Sequence, residues 1–245
     1  MFNELFWHFS DVLSESKRKY IMRKMDGDEG DKAHVMTPEG PLVDDSTRNV
    51  KVSCLGADHE LSLLTSNLVA IANERSGWKY KIDFQDPFQY LTYDVGGHYV
   101  PHVDGLLDQV YVWDDYRRNM SVDRIEDAYR LGKIRKLSVI YALNDEFTGG
   151  EFAMYRLKAE LDTEAEKVWE DWRQEQRKQV GYKEESTRRP VTDSFVHNVV
   201  AEELIIPLKA GDCIVFPSAV MHTVKPVTEG RRYSIVSWLG GDRIG

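Results

Sequence analysis

The chain has 245 residues, with 32 Lys+Arg against 41 Asp+Glu, a formal net charge of −9, and 42% hydrophobic and 30% charged residues. That composition is globular, which excludes wholesale disorder, a collagen-like rod and a membrane bundle. The acidic balance argues against gripping nucleic acid, because such binding begins with phosphate neutralisation by a basic surface.

Taken in chain order, residues 1–20 mix Asp11, Glu15, Lys17 and Arg18 into the apolar residues Phe6, Phe9, Val12, Leu13 and Tyr20. They lack the continuous apolar stretch of a secretory signal, and no run approaches the ~18 apolar residues of a spanning helix. A cytoplasmic, reducing location is expected, with no membrane contact. Ser10-Asp11 is the expected cap of a helix from about Val12 to Met25. Residues 26–49 are rich in Gly, Asp and Pro and read as loop. A second helix is expected over His59 to Arg75, with Leu61, Leu64, Leu68, Ile71 and Ala72 on one face.

From Gly77 the pattern changes. Trp78, Tyr80, Ile82 and Phe84 alternate with polar residues, a strand signal of period two. Further strand-like runs are Phe88–Tyr93, Tyr99–Val103, Lys136–Leu143, Glu151–Tyr155, Leu204–Leu208, Asp212–Pro217 and Tyr233–Leu239, separated by turn signals such as Gly96-Gly97 and Gly149-Gly150. Many short strands with regular turns indicate a sandwich, barrel or jelly roll rather than alternating strand and helix units. Leu157 to Arg189 is dense in Glu, Lys, Arg and Gln and reads as an exposed helical insertion. The expected organisation is a single domain, with residues 1–76 as an N-terminal helical cover and 77–245 as the β-rich core.

Phosphate-binding glycine loops, a Walker lysine, a nucleophile elbow and a helical HExxH are all absent, and Cys54 and Cys213 form no CxxC pair. One constellation remains. His102 and Asp104 are two positions apart, so in a strand they point to the same face. His222 follows the strand ending at Pro217 and is the best candidate for a third metal ligand. Two histidines and one carboxylate on one face of an octahedron leave positions open for co-substrate and O₂. Arg232 follows His222 by ten residues, and Gly230 fits a turn of a hairpin that would bring Arg232 close to His222. A buried guanidinium there wants a carboxylate partner, whereas neighbouring Arg231 fits a surface ion pair. By alternation Ser234, Val236 and Trp238 face the same way as Arg232.

Four stretches, in this order, resemble the 2-oxoglutarate- and Fe(II)-dependent dioxygenases, most closely their prolyl 4-hydroxylase-like group. They are Tyr93 to Asp104; Arg135 to Leu143 followed by Gly149-Gly150-Glu151; Lys209-Ala210-Gly211-Asp212 leading into Phe216-Pro217-Ser218; and His222 to Ser234. The resemblance implies a β-rich α+β fold, a double-stranded β-helix (jelly-roll) core with N-terminal helices packed on it. It implies that His102, Asp104 and His222 ligate iron and that Arg232 pairs with the distal carboxylate of 2-oxoglutarate. Many prolyl hydroxylases carry Lys there, so Arg232 is a departure. Tyr93 matches a residue that hydrogen-bonds the co-substrate, and Ser138 a small hydroxyl position beside it. Tyr99 and Trp238 match aromatic positions near the substrate and fit plain core positions equally well.

The implied activity is hydroxylation of an unactivated C–H bond, coupled to conversion of 2-oxoglutarate and O₂ to succinate and CO₂, with Fe(II) and ascorbate required. A prolyl residue in a peptide or protein is the first expected substrate, and a lysyl residue or free amino acid the second. A jelly-roll protein that binds a ligand without catalysis is the reading from another class; a zinc hydrolase built on the same triad is a third. Residues 105–132 and 157–189 are candidates for a lid or for solvated surface excursions.

Overall fold

The computed structural model describes residues 5–37, 40–105, 133–157 and 201–242, together with Thr163 and Lys167. The first elements are β1 (Trp7–Phe9), α1 (Glu15–Lys24), β2 (Asp31–Lys32), β3 (Val35–Thr37), β4 (Gly40–Leu42), β5 (Arg48–Asn49), β6 (Lys51–Cys54) and α2 (His59–Arg75). There follow β7 (Phe84–Gln85), β8 (Gln89–Tyr93), β9 (His98–His102), β10 (Lys133–Ala142), β11 (Phe147–Gly149) and β12 (Phe152–Leu157). The last are β13 (Ala201–Ile206), β14 (Cys213–Pro217), β15 (His222–Val224), β16 (Val227–Gly230) and β17 (Arg232–Asp242).

The strands form two main sheets. The larger has the order β1-β14-β10-β17-β8-β6-β2, with β7 also paired to β17; the smaller has the order β13-β12-β15-β9-β5. Their described ladders are antiparallel, the arrangement of a jelly roll.

Period two along the central strands explains how the layers hold together. Leu137, Val139, Tyr141, Cys213, Val215, Ile235 and Leu239 point to one side and pack with Ile21 of α1 and with Leu61, Leu68 and Ala72 of α2. Their strand neighbours Ile140, Ile214, Phe216, Val236 and Trp238 point to the other side and meet Phe152, Met154 and Val224 of the smaller sheet. Both faces of β10, β14 and β17 are therefore buried, which is why these strands read as continuous apolar runs. Each fully buried aliphatic side chain contributes about 1.5–3 kcal/mol. No helix among the described residues is long and apolar enough to cross a membrane.

Several expectations are corrected. α1 starts at Glu15 rather than Val12, and Ser14, not Ser10-Asp11, is its cap, accepting from the Lys17 amide at 3.3 Å. Tertiary pairing captures the preceding residues: β1 adds to the edge of the large sheet beside β14, and the amides of Val12 and Leu13 donate to the Gly211 carbonyl. The expected loop 26–49 contains four short strands, of which β2 extends the large sheet and β5 the small one. α2 has the expected bounds, with Asp58 capping it through the Leu61 amide. Its buried face carries Thr65 and Val69, while Ile71 is exposed. Thr65 is tolerated there because its hydroxyl meets both the Leu61 carbonyl and the Tyr141 hydroxyl at 2.7 Å. Trp78 and Tyr80 are buried as the alternation requires, yet no ladder forms before Phe84. The Asn73 side chain instead satisfies both the Tyr80 amide and carbonyl, tying that segment to α2. Apart from Leu157 in β12 and the exposed, helical Thr163 and Lys167, the charged insertion expected over 157–189 lies outside the described residues, as does 106–132.

Candidate metal centre

β9 and β15 bring two distant histidines together. His222 stands directly opposite His102, and Val224 opposite Tyr99, with a register shift between the pairs. One residue separates the partners on β15 and two on β9, so β9 carries a bulge. Pro101, which has no amide hydrogen to leave unpaired, occupies it. The bulge re-aims the strand: Tyr99 and His102, three positions apart, share a face, and their rings stack with centroids 3.4 Å apart at 16°. Asp104 lies just past the strand end, where its amide donates to the Ser218 carbonyl at 2.9 Å.

Both imidazoles are oriented the same way. His102 Nδ1 lies 2.8 Å from the Val100 carbonyl and His222 Nδ1 lies 2.9 Å from the Val220 carbonyl. A carbonyl only accepts, so each Nδ1 carries a hydrogen and each Nε2 is the ring nitrogen turned to the cluster. The two Nε2 atoms face the Asp104 carboxylate, at 3.7 Å from Oδ1 for His102 and 3.5 Å from Oδ2 for His222. The donor atoms of His102, Asp104 and His222 all lie within 4.8 Å of one another. Phe152 and Phe216 flank the His222 ring.

The carboxylate is held as well. Ser138 donates its hydroxyl hydrogen to Asp104 Oδ2 at 2.6 Å and lies 2.9 Å from the Ser218 hydroxyl, while the Trp238 side chain also hydrogen-bonds Asp104. Ser138 and Trp238 are opposite one another across β10 and β17. Burial by itself raises the Asp104 pKa, but the neighbouring His222 and His102 and these two hydrogen bonds outweigh it and hold the carboxyl below its ordinary range. Burial, reinforced by His222, pushes His102 down to about 3. The cluster therefore presents two imidazole Nε2 atoms and one carboxylate, a donor set suited to a divalent transition metal with open positions.

Arg232 begins β17 and stands opposite Tyr93 of β8. Its guanidinium carbon is 5.1 Å from the Tyr93 ring centroid, and Nη1 donates to Ser234 Oγ at 3.1 Å. Arg232 is only 4% exposed, and no carboxylate among the described residues pairs with it. Burial pulls its pKa below the arginine range, against the influence of Tyr93. Gly150 makes room for it: a Cβ there, at φ +63°, would stand 3.2 Å from Arg232 Cδ and 2.9 Å from Val227 Cγ2.

The expected hairpin between His222 and Arg232 does not form. β15 pairs with β12 and β9 in one sheet, β16 turns away to pair with β11, and β17 belongs to the other sheet. His222 and Arg232 are thus carried by facing sheets rather than neighbouring strands. Arg231 ion-pairs with Asp94 at the surface, as its exposure demands. Sequence reasoning missed Ser218, although it ends the Phe216-Pro217-Ser218 stretch, and Arg48, which the loop-like composition of 26–49 concealed.

Comparison with known proteins agrees with this geometry. The sequence profile of the 2OG-Fe(II) oxygenase superfamily matches residues 88–240, well over half of the chain and a window holding all eight candidate residues. A prolyl hydroxylase from Trichoplax adhaerens, solved with a hypoxia inducible factor oxygen degradation domain peptide, superposes with a TM-score of 0.56 at 17% identity over 97% of this chain and 84% of that one. A Pseudomonas putida prolyl-4-hydroxylase gives 0.54 at 15% identity, covering 99% and 95%. The viral collagen prolyl hydroxylase of Paramecium Bursaria Chlorella virus-1 gives 0.53 at 13%, covering 98% and 97%. A PKHD-type hydroxylase of Colwellia psychrerythraea is 41% identical over 45 residues, a stretch spanning 18% of this chain and 20% of that relative. The structural likenesses establish the fold, and the profile match across the metal cluster and its flanking strands establishes the chemistry class. The chain belongs to the 2OG-Fe(II) oxygenase superfamily and is a 2-oxoglutarate-dependent dioxygenase with a prolyl hydroxylase-like jelly roll.

Proposed function

We propose that this dioxygenase hydroxylates a prolyl residue of a peptide or protein at an unactivated C–H bond, with 2-oxoglutarate decarboxylated to succinate and CO₂. In this reading His102, Asp104 and His222 hold Fe(II), which when bound supplies the redox chemistry with O₂. The chain's own residues position everything else. Arg232 takes the C5 carboxylate of 2-oxoglutarate, and Tyr93, packed beside that guanidinium, offers its hydroxyl to the co-substrate. Ser138 and Trp238 act through Asp104, setting which carboxylate oxygen turns to the metal. Tyr99 backs the His102 ring, and ascorbate keeps the metal reduced. The N-terminal helices, which share a core with the large sheet, complete a single working domain.

The observation that carries this reading is Arg232, a buried guanidinium with no carboxylate partner among the described residues. An unpaired buried charge is costly, so the site is built for an anion that arrives from outside. The prolyl hydroxylase likenesses favour a prolyl peptide among the possible C–H donors. The test is to incubate the protein with Fe(II), ascorbate and 2-oxoglutarate and measure succinate. Prolyl peptides, lysyl peptides and the free amino acids are then searched by mass spectrometry for the gain of one oxygen atom. Succinate without oxygen gain on any prolyl substrate, but with gain on a lysyl one, would reassign the substrate.

A further inference from the structure

Arg48 is a second cation at the same site. It lies on β5, the edge strand of the smaller sheet, directly opposite Tyr99 of β9. Opposite residues of an antiparallel pair share a face, so Arg48 faces the same way as Tyr99 and, through the Pro101 bulge, as His102. Its guanidinium carbon lies 4.7 Å from the Tyr99 ring centroid. Nη1 donates to the His34 carbonyl at 3.1 Å, whereas Nε is buried with no partner. No carboxylate among the described residues pairs with Arg48.

Charge counting gives this cation a meaning. Arg135 is neutralised by Asp86 at 2.9 Å, which leaves Asp104 as the negative side chain of the described cluster and Arg232 and Arg48 as its cations. Fe(II) and doubly negative 2-oxoglutarate cancel one another. Asp104 then offsets one arginine, and one positive charge stays unmatched among the described residues of the half-buried cluster. Guanidinium groups stacked on aromatic rings with free N–H edges are suited to carboxylates. We propose that Arg48 is a carboxylate-binding residue of the prime-substrate subsite, so that the molecule presenting its C–H bond carries an anionic carboxylate held beside the Tyr99 ring. This rests on the dioxygenase reading and narrows its substrate class. The carboxylate comes from one of two sources, the α-carboxylate of a free amino acid or an acidic side chain next to the target residue in a peptide.

Calorimetric titration of the full chain loaded with Mn(II) and 2-oxoglutarate separates the two. The probes are L-proline against L-prolinamide, and N-acetyl-Gly-Pro-Glu-amide against N-acetyl-Gly-Pro-Gln-amide. The expected result is that the carboxylate member of one pair binds at least about tenfold tighter, the size of effect a truncated charge pair produces. Arg48→Gln should bring that ratio to near one, and Arg48→Lys should retain part of it. Where Arg48→Gln does not fold, the Arg48→Lys ratio carries the assignment. Equal binding within both pairs, no binding by either carboxylate probe, or a ratio that survives Arg48→Gln overturns the proposal. A loss of 2-oxoglutarate affinity in Arg48→Gln as large as the loss of probe affinity also overturns it, by assigning the residue to the co-substrate. Titration of wild type with 2-oxoglutarate alone reports on the underlying reading: failure there removes the dioxygenase site itself, whereas success with failing probes removes only the carboxylate subsite.

Discussion

Ser138 donates to Asp104 Oδ2 across 2.6 Å although the two residues are 34 positions apart. The bond holds the carboxylate in place, and the Trp238 hydrogen bond adds a second restraint. Groups that orient a metal ligand are typically worth about 10–100-fold in metal affinity. Ser138→Ala should therefore weaken Mn(II) binding by about tenfold, measured by titration without turnover, and Ser138→Thr should restore it. Unchanged affinity in Ser138→Ala would show that Asp104 is held without this hydroxyl.

Arg232 should separate stability from binding. Replacing an unpaired buried cation by an apolar side chain of similar length removes a desolvation cost. Arg232→Met should hold or raise the melting temperature without 2-oxoglutarate and abolish the stabilisation that 2-oxoglutarate gives wild type. Loss of co-substrate affinity should be about 2–4 kcal/mol. Retained affinity would transfer the role to Arg231 or another cation.

Gly150 tests how closely Arg232 is placed. Ala at φ +63° is strained, and its Cβ would press on Val227 and on Arg232 Cδ. Gly150→Ala should cost about 1–3 kcal/mol of stability and raise the KM for 2-oxoglutarate more than it changes metal affinity. Equal effects on both would mean a general loss of packing rather than a displaced guanidinium.

Asp212 should dominate part of the acid limb of stability. Only 4% exposed, it accepts from the Asp11 and Lys209 amides and from His8, anchoring β1 to the turn before β14. Burial raises its pKa, but the Lys209 and Asp11 amides and His8 outweigh that and hold it below 3.8. A folded pKa lower than the unfolded one gives stability that is present above the ordinary carboxylate range and lost as pH falls through the folded value. Asp212→Asn should lower stability by about 1–3 kcal/mol near neutral pH and flatten the fall of stability below pH 3.8. An acid limb that keeps its wild-type slope in denaturant melts would place the effect on other carboxylates.

The sequence by itself determined the donor chemistry, most strand positions and the helix over His59–Arg75, because residue type, period two and period 3.6 are local properties. It also marked Arg232 as a buried cation, since alternation along β17 places Arg232, Ser234, Val236 and Trp238 on one side. Local pattern could not reveal which strands become neighbours, because that follows from burying both faces of β10, β14 and β17 at once. Only the tertiary structure decided that His222 lies opposite His102, that Arg232 comes from the facing sheet, and that the bulge at Pro101 turns Tyr99 toward His102. It also set Ser138 and Trp238 against Asp104, and brought Arg48 out of a loop-like segment onto a sheet edge beside the site. Each of these depends on contacts between residues far apart in sequence, whose energies are set by packing and desolvation rather than by the spacing of residues along the chain.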